Sequence, residues 1–387
     1  MMSTHTQLLR MPHIKIGSGC LAAASEALKA VGARRVLIVT SPELAALGML
    51  GRLQEALARD GEVSQCCYDA VQPDPTLAVA EAAAQLGSLH QVEAVIALGG
   101  GSPIDTAKAA AASIASGLGI RELLGTDLVP KALPIIAIPT TAGTGSEVTA
   151  VAVLTDPSDQ VKKGIVSEKL IPTWAILDPD LTVGLPARQT AFTGLDALSH
   201  AIEAYLSNKA TLLTDFYAAA AIPLIVENLP RVFINGKDLE ARQAMQLAAY
   251  YAGLAFANAG VTAAHAFAYP LGARYHLPHG LAVTLMLPAV LEYNLKAHED
   301  KFTSLARILT GRSYADAREV VPTLVRLCRE LHVPLGLDQL GVEEADLSPM
   351  AESVLSITRI LDNNPKPISK WTESMGIYTR ALHYSLL

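Results

Sequence analysis

Apolar and polar positions in the first half of the chain switch between two rhythms. Residues 20–32 carry a helical pattern ending near Gly32, and RRVLIVT (34–40) follows as a short β-branched run. An apolar run unbroken by polar positions is expected of a strand covered on both faces. The alternation continues with a helix over 43–59 that stops near Gly61, a strand at VSQCCYD (63–69) and a helix at TLAVAEAAAQLGSLH (76–90). It then gives a strand at VEAVIALGGG (92–101), a helix at SPIDTAKAAAASIA (102–115) and a strand at ALPIIAIPTT (132–141). Strands alternating with helices predict a parallel sheet with helices on both faces. After Thr141 the pattern changes. VTAVAVLTD (148–156) and KKGIVS (162–167) flank the turn-rich DPSDQV and predict a hairpin, and TWAILDPDLT (173–182) predicts one more strand.

From Pro186 onward strand signals nearly vanish. ARQTAFTGLDALSHAIEAYLS, DFYAAAAIPLIVENLPRVF and ARQAMQLAAYYAGLAFANAG all carry the helical period. The pattern therefore divides the 387 residues into an α/β domain, 1–186, and an all-helical domain, 187–387, as expected of a chain too long for one core.

Composition sharpens this picture. At 51% hydrophobic and 17% charged residues the chain can bury a large interior and is not of the disordered class. Aromatics are scarce and alanine abundant, which favours closely packed helices. A net charge of -7 with no basic run makes a poor nucleic-acid binder. The N-terminal stretch lacks an apolar core of signal-peptide length, and no unbroken apolar stretch suggests a membrane span, so a soluble cytoplasmic protein is expected. Cys20, Cys66, Cys67 and Cys328 form no CxxC pair and are expected to be buried thiols in a reducing compartment. Adjacent on a strand, Cys66 and Cys67 should point to opposite faces.

Two loops carry candidate chemistry. Gly99, Gly100, Gly101 and Ser102 follow a strand and open a helix, with Ser102 expected to cap it and Pro103 to sit in its first turn. Glycines let backbone N–H groups approach a phosphate, and the helix N-terminus adds unpaired donors and a positive dipole end. The turn matches neither GxGxxG nor a Walker A loop. PTTAGTGSE (139–147) is a second glycine–hydroxyl loop after a strand. In a parallel sheet it would lie beside the first, at the carboxyl ends where ligands bind.

The second half carries candidate ligands. Asp196 and His200 are four apart on a predicted helix and share one face. Further on, His265, His276 and His279 fall within fifteen residues of an apolar, alanine-rich stretch, where an unsatisfied ring is costly. A DxxxH pair is common by chance, and any one of these histidines taken singly is better read as a satisfied core residue. Two of them with the DxxxH pair make a set of one carboxylate and three imidazoles, which suits Fe2+ or Zn2+ and leaves an open position.

GGGSPIDTAK, IPTTAGTGSEVT, TGLDALSHAIEAY and AHAFAYPLGARYHLPHG, in this order, resemble the iron-containing alcohol dehydrogenase family, near its lactaldehyde reductase and 1,3-propanediol dehydrogenase types. The resemblance extends to NNPKPIS near the C-terminus. It implies an N-terminal dinucleotide-binding domain, a C-terminal helical domain and a site in the cleft between them. It also implies Asp196, His200, His265 and His279 as ligands of Fe2+, with Zn2+ as an alternative ion. The metal would hold the substrate oxygen while a hydride passes between NAD(P) and a small primary alcohol or aldehyde. The cofactor would meet Ser41, Asp74, Gly99, Gly100, Gly101, Ser102, Asp105, Thr140, Thr141, Thr144, Val153 and Lys162. His265, His279 and Tyr269 would carry the catalysis, and Val151, Phe256, Tyr269 and Ile360 would face the substrate. A homodimer or larger homo-oligomer is implied as well.

The chain departs from the family at informative positions. Tyr269 stands where many members carry a further histidine, so that histidine's proton-relay role does not transfer. Ser41 stands where NAD-preferring relatives often have an aspartate that repels a 2′-phosphate. With no basic residue in the segment and Glu43 close by, NAD is expected, with NADP usable as well. Val151 and Ile360 make the pocket more apolar, which points to a simple alcohol or aldehyde. Hydroxyacid–oxoacid transhydrogenases and maleylacetate reductases share the architecture and are the alternative activities, although four intact ligands argue against a metal-independent reductase. A non-catalytic nucleotide-binding assembly protein is the remote alternative.

Overall fold

The computed structural model describes residues 8–59, 63–158 and 161–384, in two compact units that divide between Leu185 and Pro186. Among its described residues the first unit has nine strands: β1 (His13–Ile16), β2 (Arg35–Val39), β3 (Ser64–Tyr68), β4 (Ala94–Gly99), β5 (Gly125–Thr126), β6 (Ile135–Pro139), β7 (Val151–Asp156), β8 (Val161–Val166) and β9 (Trp174–Leu177). Six form a sheet in the order β1-β9-β6-β4-β2-β3, parallel throughout. Its central strands β4 and β6 are buried at every position, which explains their unbroken apolar sequences. Alternate side chains serve opposite faces. Val36, Ile38, Ile96, Leu98, Ile136 and Ile138 join one core with Leu28, Leu53 and Leu57. Leu37, Val39, Val95, Ala97 and Ile135 join the other with Ala83, Ile104 and Ala107. Cys66 and Cys67 divide between these two cores, as their adjacency on β3 requires.

The order of the sheet positions the site. β3 lies on one side of β2 and β4 on the other, so the winding reverses at β2. Ligands of open α/β sheets bind outside the carboxyl ends at such a reversal. Ser41 follows β2 and Gly100 follows β4 at that edge.

Two local features differ from the sequence expectation. β1 was not anticipated: it is four residues long, mostly exposed, and pairs only with β9. The helix expected over 43–59 is two helices, Pro42–Ala46 and Met49–Ala58. Gly48 between them takes φ 76°, a left-handed conformation that ends the first helix. The expected hairpin forms from β7 and β8, and β5 joins its β8 edge.

The second unit is helical, with no strand among its described residues. Ala187–Leu206, Leu212–Ile234 and Leu239–Ala259 pack on one another, and His279–Asn294 packs on both Ala187–Leu206 and Ala263–Tyr275. Small residues set the spacing. A Cβ on Gly194 would lie 2.4 Å from Leu229 and 3.0 Å from Met245. One correction to the membrane expectation applies: Leu212–Ile234 is long and apolar enough to cross a membrane by length and composition. It buries Ile222, Ile225 and Leu229 inside this unit, while Leu212, Leu213, Phe216 and Ile234 stay exposed.

Candidate active site

Three ligand-type side chains converge in the helical unit. Asp196 comes from the middle of Ala187–Leu206, His265 from the first turn of Ala263–Tyr275, and His279 from the first residue of His279–Asn294. One ligand atom from each lies within 4.8 Å of the others. Asp196 Oδ1 stands 3.8 Å from His265 Nε2 and 3.9 Å from His279 Nε2. Those gaps are too long for hydrogen bonds and short enough for all three atoms to reach one cation at about 2.1 Å. Gly280 permits the approach of the third helix, because a Cβ there would fall 2.3 Å from the Phe192 carbonyl and 3.1 Å from Asp196 Cβ.

His200 lies one turn after Asp196 on the same buried face. Its ring stacks on His265 with centroids 4.6 Å apart, and on Phe256 at 4.2 Å. Its nitrogens stand outside the three-residue group although the ring adjoins it. Tyr269 is one turn beyond His265, its ring 6.5 Å from that of His279. Burial pushes its phenol upward, so it stays protonated and is a donor at neutral pH. Ile360 is buried, at 2% exposure. Val151 belongs to the other unit, where it opens β7.

Glu203 is the residue the sequence reading passed over. It is buried on the face that carries Asp196 and His200. Its Oε1 accepts from the backbone N–H of Thr262 at 3.0 Å, the Thr262 hydroxyl at 2.7 Å and the N–H of Ala264 at 2.9 Å. It thereby supplies the anionic cap that the helix Ala263–Tyr275 otherwise lacks. Its Oε2 hydrogen-bonds His265 Nδ1. Burial alone would raise the Glu203 carboxyl, but the His265 ring and the Thr262 donor outweigh it and hold the group below its ordinary value. With Nδ1 engaged, His265 presents Nε2, which is buried and makes no hydrogen bond. A buried imidazole nitrogen without a partner is costly unless something else takes its lone pair, and carboxylate-oriented histidine is the usual arrangement around a bound metal. The residues present therefore fit a metal ion. The signal was in the sequence: positions 196, 200 and 203 share one helical stripe.

In the α/β unit the two loops meet. Gly100 is the N-cap of the helix Gly101–Ser116, and no side chain caps it, so Ser102 lies inside the first turn and not at the cap. Glycine fits here for lack of room: a Cβ on Gly99 (φ 153°) would meet Pro103 at 2.5 Å. On Gly100 it would lie 3.2 Å from Thr141, and on Gly101 3.1 Å from Thr144. Thr140 is buried and its N–H donates to the Gly99 carbonyl at 3.1 Å. Ser41 caps Pro42–Ala46 by accepting from Leu44 N–H, and its hydroxyl holds the exposed Glu43 carboxyl below its usual range. Asp105 is buried. One of its oxygens accepts from Ser146 Oγ at 3.0 Å and the other from the Val153 N–H at 3.0 Å. The exposed Asp74 and the part-buried Lys162 pair with each other at 2.6 Å.

One chain thus carries a doubly wound sheet with donor-rich loops and a carboxylate–imidazole cluster that fits a metal ion. Comparison with known proteins makes this specific. A family model described as iron-containing alcohol dehydrogenase matches residues 12–179, and one described as the C-terminal part of the Fe-containing alcohol dehydrogenase family matches residues 190–381. The chain is 38% identical over 348 residues to an NAD-dependent methanol dehydrogenase of Bacillus methanolicus, covering 88% of this chain and 91% of the relative. It is 38% identical over 386 residues to alcohol dehydrogenase 4 of Saccharomyces cerevisiae (strain YJM789), covering 99% and 100%. The crystal structure of a 1,3-propanediol oxidoreductase superposes with a TM-score of 0.93 at 34% identity, over 98% of this chain and 100% of that one. The chain belongs to the iron-containing alcohol dehydrogenase family.

Proposed function

We propose that the protein transfers a hydride between NAD and a small primary alcohol or aldehyde, with Fe2+ held by Asp196, His200, His265 and His279. The observation that carries this reading is the convergence of Asp196, His265 and His279, with His265 Nε2 buried and unbonded and its Nδ1 held by Glu203. One carboxylate with imidazoles suits Fe2+ and also Zn2+. Bound there, the ion supplies Lewis acidity toward the alcohol or carbonyl oxygen.

The chain's own groups supply alignment. Glu203 fixes the tautomer of His265, so that ring turns its free nitrogen toward Asp196. Tyr269 offers a phenolic donor beside His279, where a histidine relay is absent. Phe256, stacked on His200, forms an apolar wall beside the cluster, which favours a simple alcohol over one bearing a second hydroxyl. The turn from Gly99 to Ser102 would hold the cofactor pyrophosphate, because the N–H groups of Gly101 and Ser102 open a helix there. Thr140, Thr141, Thr144 and Val153 form the neighbouring wall, with Asp105 behind them bound to Ser146 and Val153, and Ser41, Asp74 and Lys162 the adenosine side. An ionised Glu43 beside Ser41 disfavours a 2′-phosphate, so NAD is preferred and NADP is used more weakly. The enzyme works in the cytoplasm as a homodimer or larger homo-oligomer. The Bacillus methanolicus relative, by its name, uses NAD and acts on a small alcohol, which supports the reading.

The test is metal removal and return. Chelation should abolish NADH-linked reduction of a short-chain aldehyde panel, and anaerobic Fe2+ should restore it. Full activity in rigorously metal-free protein would overturn the reading.

A further inference from the structure

The helix that follows the glycine turn buries a charge that the chemistry above does not use. Lys108 is fully buried, one turn after Asp105 on the helix Gly101–Ser116. Its ammonium donates to the Thr149 carbonyl at 2.8 Å, the Thr149 hydroxyl at 3.0 Å and the Val151 carbonyl at 2.9 Å. All three protons are thereby engaged. Asp105 grips the same segment from the neighbouring turn, through Ser146 Oγ and the Val153 N–H. Two side chains of one helix thus hold Ser146, Thr149, Val151 and Val153, the chain leaving the second loop and entering β7.

A buried ammonium is expensive, and a well-packed apolar side chain is often as stable in its place. Burial pushes Lys108 down to about 8 against the pull of Asp105 and Glu147. What the charge provides is position. Immediately upstream, Gly100 faces Thr141 and Gly101 faces Thr144 at near-contact distance. The two loops share one surface only while the segment behind them stays in register. We propose that Lys108 and Asp105 are positioning residues that lock the second loop against the glycine turn, and so preorganise the dinucleotide site without touching the cofactor. This rests on the assignment of the cofactor to these loops. Asp105 then acts on the cofactor indirectly, its oxygens being committed to Ser146 and Val153.

A preorganised site loses affinity in proportion to the fraction of molecules that leave the competent state. In the full-length, iron-loaded enzyme, Lys108→Met should weaken NADH binding about tenfold, as a rise in Kd read by nicotinamide fluorescence. The KM for NADH should rise more than kcat falls. Val36→Ala, a core truncation in the same unit, should lower the melting temperature with NADH Kd unchanged. Should Lys108→Met fail to fold, Thr149→Val removes a single hydroxyl tie and should still weaken NADH roughly threefold. A folded Lys108→Met or Thr149→Val enzyme that melts earlier but binds NADH like the parent overturns the proposal and leaves the cofactor site standing. A parent enzyme that binds neither NADH nor NADPH overturns both.

Discussion

The two units build their sites by opposite means. In the helical unit the candidate metal ligands are side chains, delivered by three helices, two of which approach closely at Gly280. In the α/β unit the donors are largely backbone, offered by two loops at strand ends and packed so closely that glycine is needed for space. Side-chain ligands cannot be replaced by neighbours, whereas a surface of many N–H and hydroxyl groups shares the load. Single side-chain changes should therefore abolish function in the first unit and tune it in the second.

The largest expected effect tests the first half of that contrast. Asp196→Ala removes the oxygen that lies between two imidazoles, so iron stoichiometry should collapse and kcat/KM fall by roughly a thousandfold or more. A loss of only a few fold, with iron retained, would break the comparison. Next comes Glu203→Gln, which keeps the shape but weakens both the helix cap and the grip on His265. It should reduce iron affinity by about 10- to 100-fold, measured by competition with a chelator, while NADH Kd stays at the parent value.

Glu147 sharpens the second half. Burial raises its carboxyl to about 7 from an ordinary 4.5. The folded protein then keeps a proton that the unfolded chain releases between those values, so this group makes stability fall as pH rises from about 4.5 to about 7. Glu147→Gln removes the effect. The stability of the variant relative to the parent should climb across that window by roughly 3 kcal/mol at most, read from denaturant titrations. A flat difference would show that the carboxyl is not perturbed. The smallest effect is expected at the rim: Glu43→Gln should improve kcat/KM with NADP several fold, because a charge that repels the 2′-phosphate is removed. NAD kinetics should barely change.

How far the sequence could be read follows from the range of the forces involved. β2, β4 and β6 were legible because strands buried on both faces leave an unbroken apolar signature. β1 left none: four mostly exposed residues gain their identity from pairing with β9, more than 150 residues away. The break at Gly48 was missed because an isolated glycine inside a helical pattern is tolerated as often as it ends one. Asp196, His200, His265 and His279 stood out as a set through the family resemblance, although each histidine alone was unremarkable. Glu203 was in view in the same motif and went unread, since its partners Thr262, Ala264 and His265 lie about 60 residues on. Nothing in the alanine-rich sequence around Lys108 marks it out, and only the fold shows its ammonium enclosed by Thr149 and Val151. The pairing of Asp74 with Lys162, 88 residues apart, was equally beyond local pattern.

The central claim is that one cation joins Asp196, His200, His265 and His279. Anomalous diffraction at the iron edge, on crystals of anaerobically loaded and active enzyme, tests it most directly. The account predicts a single strong peak within bonding distance of Asp196 Oδ1 and of Nε2 on both His265 and His279, with His200 turned to complete the set. An active, loaded crystal whose iron peak lies away from these four side chains would contradict it.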